Sequence, residues 1–149
     1  MSMDLRELYQ EIIIDHNRNP RNHHVMADAT TEANGFNPLC GDKLTVYAKI
    51  EQDKIVDLSF LGCGCAISQA SASLMTDALK GKSVEEAHDL FKRFHSMLTQ
   101  DDAQSVGVMD KLTVLAGVKA FPMRVKCATL AWHTLESALN KDHKVVSTE

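Results

Sequence analysis

Three widely separated segments of this chain each deliver a thiol: Cys40 in Pro38-Leu39-Cys40-Gly41-Asp42, Cys65 in Gly62-Cys63-Gly64-Cys65-Ala66-Ile67-Ser68, and Cys127 in Arg124-Val125-Lys126-Cys127-Ala128. A fold that joins them into one metal or sulfur site must bring the middle and the end of the chain to the same point. Asp42, two residues after Cys40, adds a carboxylate to the same constellation. Zinc takes four ligands at roughly 2.0–2.3 Å from Cys, His or carboxylate groups. Cys40-Gly41-Asp42 can supply two of them, because glycine tolerates the positive φ that lets neighbouring side chains converge.

The alternative is that each cysteine is a small core hydrophobe. Cys127 suits that role, since it shares a helical stripe with Leu130, Ala131, Thr134, Leu135 and Ala138. Spacing alone does not decide, because no C-x-x-C pair occurs and Cys63-Gly64-Cys65 is only C-x-C. Redox context shifts the balance. The first residues, Met1-Ser2-Met3-Asp4-Leu5-Arg6-Glu7, lack the basic start and apolar run of a secretory signal, and no apolar run approaches the roughly 20 residues that cross a bilayer. A cytoplasmic, non-membrane protein is expected, and in that reducing compartment cysteines serve metals or catalysis more often than disulfides. With 16 basic and 20 acidic residues the net charge is −4, and only 5% of residues are aromatic. Neither value suits a nucleic-acid partner, which calls for clustered Lys/Arg and stacking platforms.

Periodicity gives the layout. At 149 residues the chain is expected to form a single domain over 1–149. Leu5, Leu8, Tyr9, Ile12 and Ile13 predict an N-terminal helix ending before Asn19-Pro20, with a first strand near 27–33. Leu44, Val46, Ala48 and Ile50, then Val56, Leu58 and Phe60, predict a hairpin around Glu51-Gln52-Asp53-Lys54 with one buried face. A helix should follow Cys65 and stop at Gly81, and Ser83 with Glu86 forms a capping box for a helix from Val84 to Leu98. Leu112, Leu115 and Val118 allow a short helix, Pro122 interrupts, and a last helix runs from Val125 to Asn140, with fraying after Lys144. These elements make an α+β fold, a small and mainly antiparallel three-stranded sheet packed against helices. Cys65 and Cys127 would then each start a helix, whose N-terminus lowers a thiol's pKa. Three thiolates, one carboxylate and a dication sum to −2, so compensation is needed; the two helix N-termini and Arg124 are the candidates, with Lys126 as a further contributor. Each histidine is more simply a solvent-facing or polar-edge residue than a ligand, with His16 able to cap a helix or line the site.

Beyond these readings, Leu8-Tyr9, His16, Asn19-Pro20-Arg21-Asn22, Asn37-Pro38-Leu39-Cys40-Gly41-Asp42, Gly64-Cys65-Ala66-Ile67-Ser68 and Arg124-Val125-Lys126-Cys127-Ala128-Thr129-Leu130-Ala131-Trp132 occur together. In these motifs the chain resembles the NifU-like and IscU-like proteins of iron–sulfur cluster assembly over nearly its whole length, most closely the SufU branch. Lys126 stands where the IscU pattern has histidine, and the segment between Lys82 and Pro122 is longer than in IscU-like chains. The resemblance implies the NifU/IscU-like fold and metal ligands Cys40, Asp42, Cys65 and Cys127. It implies a zinc-dependent sulfur acceptor that takes persulfide sulfur from a SufS-like cysteine desulfurase and serves downstream assembly proteins. The alternative is a scaffold holding a transient iron–sulfur cluster. Cys40, in a loop beside Gly41, is the expected nucleophile, with Asp42 either exchanging or holding the metal while Cys40 leaves. Cys65 and Cys127 would be anchors. Cys63 is read as an extra thiol, because the ungapped register back from Ser73-Leu74-Met75-Thr76 puts Cys65 in the ligand position.

Overall fold

The computed structural model describes residues 5–38, 41–99, 115, 121–140 and 146–147. Helix α1 (Leu5–Arg18) is followed by strands β1 (Thr31–Asn37), β2 (Asp42–Glu51) and β3 (Lys54–Cys63), then by helices α2 (Ala66–Leu79), α3 (Val84–Thr99) and α4 (Pro122–Leu139), and by a two-residue strand β4 (Val146–Ser147). The sheet order is β3-β2-β1-β4, antiparallel except for the parallel pairing of β4 with β1. This is the α+β arrangement read from periodicity, with a small parallel edge added where fraying was expected.

Local chemistry explains most boundaries. Gln52 and Asp53 both adopt positive φ, 51° and 62°, in the two-residue turn between paired Glu51 and Lys54. That twist matches the strands, and the strain on non-glycine residues is held by bonds from outside the hairpin, such as Val84 N–H to the Asp53 carbonyl at 2.8 Å. At the start of α3 the capping box is reciprocal: the Glu86 N–H donates to Ser83 Oγ at 3.0 Å, and the Ser83 N–H donates to Glu86 Oε1 at 3.2 Å. Gly81, at φ +88°, ends α2.

Four expectations are corrected. The first strand lies later than 27–33, because the inward face is set by Thr31, Ala33, Gly35 and Asn37. Val56 is exposed and Ile55 is buried instead: a bulge opposes Lys49 to Asp57 and Ile50 to Ile55, leaving Val56 as the extra residue. Pro122 does not interrupt a helix but begins α4, where its missing N–H has no intrahelical partner to lose. Val146 and Ser147 pair with Gly35 and Phe36. Of the region 101–120, only Leu115 is among the described residues, and it is buried; the possible helix there and Lys144 lie outside them.

Helix α4 runs through the core, with Cys127 to Trp132 buried in succession. The inward face of β1 lies antiparallel along it. Thr31 Oγ1 donates to the Ala138 carbonyl at 2.8 Å, Gly35 sits under Thr134 and Leu130, and Asn37 meets Cys127. The spans agree: six residue steps of strand cover about 20 Å, and eleven of helix about 16 Å. A second clamp joins α4 to α2, where Ser71 Oγ donates to the Ala128 carbonyl and accepts from Trp132 Nε1 at 3.2 Å. Trp132 stacks on Phe94 of α3 with ring centroids 4.4 Å apart. His16 is buried with Nδ1 2.7 Å from Ser73 Oγ, so it ties α1 to the middle of α2.

A Cβ at position 35 would strike Thr134 Oγ1 and press on Leu130. Gly35→Ala should therefore destabilise the fold by about 1–3 kcal/mol, the usual range for overpacking. Thr134→Ala in the same chain should recover most of that loss. Urea melts with unchanged slope and a lowered, then restored, midpoint are the expected result.

Candidate metal centre

Asp42, the first residue of β2, has no exposed surface. Cys65 is the N-cap of α2, where its sulfur accepts the Ser68 N–H at 3.4 Å, a role more often filled by Ser or Asp. Its own backbone N–H donates to Asp42 Oδ1 at 2.7 Å, and its Sγ lies 3.7 Å from Asp42 Oδ2. Gly64 makes this approach possible, because any Cβ there would collide with the Asp42 carboxylate. Cys127, buried on α4, completes the cluster; one ligand atom from each of Asp42, Cys65 and Cys127 lies within 4.8 Å of the others.

This set suits zinc. Ligands bound tetrahedrally at 2.0–2.3 Å stand roughly 3.3–3.8 Å from one another, so the sulfur–oxygen spacing already matches and the remaining separations need only a small closure. Two sulfurs and an oxygen are also the donor types that zinc accepts. Cys40, the fourth residue of the expected set, lies outside the described residues, whereas Gly41 between it and Asp42 has φ +68°. That is the left-handed region in which glycine carries no Cβ penalty.

The electrostatics differ from the sequence expectation in two ways. Cys127 is the sixth residue of a helix that begins at Pro122, beyond the first turn where the helix dipole acts. Burial pushes the Cys65 thiol above its ordinary value; the Ser68 N–H opposes this, and the neighbouring Asp42 carboxylate adds to it. The dipole therefore does not prevail at Cys65 without a cation. Arg124 is exposed, with its guanidinium 4.6 Å from the centre of the Phe121 ring. The donors described at the cluster are neutral N–H groups: those of Cys65 and Ser68, and the carboxamide of Asn37.

Cys63 is exposed at the end of β3, opposite Lys43. Among the described residues no histidine joins the cluster. His88 pairs with Glu136 at 2.6 Å, His95 and His133 are ring neighbours on α3 and α4, and His23 packs edge-on to Phe60. Sequence reasoning assigned no role to Asn37. The available signal was its inward position on β1, where Thr31, Ala33 and Gly35 precede it with the period of a strand.

A mainly antiparallel sheet crossed by a buried helix, with two thiols and a carboxylate converging at one end, defines a small α+β protein with a candidate thiol–carboxylate metal site. A model of the NifU-like N terminal domain matches residues 8–141, and the chain belongs to that family. It is 41% identical over 137 residues to the iron-sulfur cluster assembly scaffold protein IscU of Streptococcus pyogenes serotype M1, covering 92% of this chain and 86% of that one. It is likewise 41% identical over 139 residues to the zinc-dependent sulfurtransferase SufU of Bacillus subtilis (strain 168), covering 93% and 94%. The crystal structure of a SUF-system protein (FiSufU) from Fervidobacterium islandicum AW-1 superposes with a TM-score of 0.79 at 38% identity, covering 89% and 96%.

The geometry makes the thiols unequal. Cys65→Ser and Cys127→Ser should lose bound zinc, and Cys63→Ser should keep it. Metal analysis of the three purified variants checks this; zinc kept in Cys65→Ser and lost in Cys63→Ser would reverse the assignment.

Proposed function

We propose that this chain, acting as a single domain over 1–149 in the cytoplasm, is a zinc-holding sulfur acceptor of iron–sulfur cluster assembly. It takes persulfide sulfur from a SufS-like cysteine desulfurase and passes it to downstream assembly proteins. The observation that carries the reading is the convergence of Asp42, Cys65 and Cys127 within 4.8 Å at the end of the sheet. The name of the Bacillus subtilis relative, a zinc-dependent sulfurtransferase, supports it, as do the thiol and carboxylate donors. No helix among the described residues is long and apolar enough to cross a membrane.

In this reading Cys40, Asp42, Cys65 and Cys127 hold the metal. Bound zinc keeps its thiolate ligands ionised and protects them from oxidation. Cys65 and Cys127 are the anchors, one on a helix cap and one in the buried stretch of α4. Asp42 belongs with them rather than being the exchanging ligand: its Oδ1 is committed to the Cys65 N–H at 2.7 Å, which leaves Oδ2 beside the thiols. Cys40, next to the turn at Gly41, is the residue that acts. Its thiolate attacks the outer sulfur of the partner's persulfide. A sulfur–sulfur bond forms on Cys40, the partner's breaks, and the electron pair leaves on the partner's cysteine thiolate. Arg124 would supply positive charge near the anionic ligands, beside the exposed Phe121 on which it stacks.

The second reading is a scaffold for a transient iron–sulfur cluster, favoured by the IscU relative at the same 41% identity. One experiment separates the two. The purified protein is analysed for metal and incubated with desulfurase and cysteine. Sulfur relay predicts stoichiometric zinc, faster desulfurase turnover, and the added mass of one sulfur on the peptide containing Cys40. Cys40→Ser should abolish the stimulation and Cys63→Ser should leave it intact. Iron with labile sulfide, no stimulation and no sulfur added to any cysteine would establish the scaffold instead.

A further inference from the structure

Asn37 has no exposed surface and occupies the last inward position of β1, directly across from Asp42 in the antiparallel register. Its Nδ2 lies 3.5 Å from Asp42 Oδ2 and 3.5 Å from Cys127 Sγ. The second contact is ordinary for an N–H donor to sulfur; the first is long for one to oxygen. One carboxamide nitrogen carries two hydrogens, so it can serve both acceptors at once. Those acceptors come from different layers of the molecule, the carboxylate from the sheet and the thiol from α4. Burying a carboxamide at the end of a strand face is costly unless its polar atoms are used.

We propose that Asn37 is a positioning residue of the metal centre, its carboxamide bridging Asp42 and Cys127 so that sheet and helix present their donors at one spacing. The inference rests on the metal-centre reading above. Its physical content is twofold. A donor shared between the carboxylate oxygen and the sulfur offsets part of the repulsion that arises between them when both carry negative charge. It also draws electron density from the Cys127 sulfur, so the bond between that sulfur and a metal reports whether the donor is present. Outer partners of this kind typically change metal affinity by 10–100-fold when removed.

The test uses the full chain with two variants. Asn37→Leu keeps the approximate shape and removes the donor; Asn37→Ala removes both. Zinc affinity is measured by competition with a chromophoric chelator, and the cobalt-loaded proteins are compared by their sulfur-to-cobalt charge-transfer band. The expected result is a loss of zinc affinity on the order of tenfold or more in both variants, with a displaced cobalt band and with a metal-free urea midpoint for Asn37→Leu close to wild type. Unchanged affinity and a superimposable cobalt spectrum in Asn37→Leu would overturn the proposal and leave Asn37 a packing residue, as would a loss confined to Asn37→Ala. If Asn37→Leu does not fold, the band position in Asn37→Ala decides: displaced supports the bridge, unmoved rejects it. Wild-type protein that binds neither zinc nor cobalt would instead remove the metal centre, and this inference with it.

Discussion

Everything at the metal centre depends on how closely α4 can lie against β1. Gly35 sets that distance, since the space its side chain would fill is taken by Thr134 and Leu130. The consequence is felt at both ends of the contact. At one end Thr31 reaches the last turn of the helix, and at the other Asn37 and Asp42 reach Cys127. A helix held farther out would still bury Leu130 and Leu135 against something, but it would carry Cys127 away from the carboxylate. The same logic recurs at Gly64, where the absence of a side chain lets the cap of α2 close on Asp42. Two missing side chains thus convert three secondary-structure elements into one ligand cluster, and the tolerance is tight because interiors pack at nearly crystalline density.

The cluster is assembled at an electrostatic cost. Asp42 is buried beside two thiols, and without a cation burial keeps the Cys65 proton on. A dication reverses that preference, because it favours the thiolate forms more strongly than burial opposes them. Among the described residues, neutral N–H donors meet part of the rest: the Ser68 amide at Cys65, the Cys65 amide at Asp42, and Asn37 between Asp42 and Cys127. Fixed dipoles suit such a place better than a buried lysine or arginine, which would carry its own desolvation penalty. The stability of the folded chain and the occupancy of its centre are therefore linked, since an ion that binds only the folded form adds its binding free energy to folding.

Much of this was legible in the residues. The hairpin, the capping box at Ser83 and Glu86, the helix after Cys65 and its stop at Gly81 all follow from local rules that tertiary packing did not override. The misses have identifiable causes. The bulge that exposes Val56 adds one residue to a strand whose alternation otherwise looks unbroken, and alternation alone cannot show on which side of an insertion the period resumes. Pro122 reads equally as an end or as a first turn until the neighbouring chain is placed. Val146 and Ser147 pair with β1 through backbone atoms, which leave no compositional signal in so short a strand. At the site, Asp42, Cys65 and Cys127 stood out by residue type, whereas Asn37 did not, because an asparagine before a proline reads first as turn chemistry.

The arrangement also separates what must stay from what must move. Cys65 is fixed by a helix cap, Cys127 by a helix buried along one whole stripe, and Asp42 by a backbone donor and its place in the sheet. Each is held by elements whose displacement would break several contacts at once. Gly41 stands apart, an exposed residue at φ +68° with open space around its missing Cβ. There glycine serves the backbone rather than packing, unlike Gly35 and Gly64. In a sulfur relay the acting thiol must meet a partner's persulfide and then release what it received, which rigid anchoring would obstruct. In the proposed relay, three anchored donors retain the ion while Cys40, joined to them through Gly41, leaves and returns.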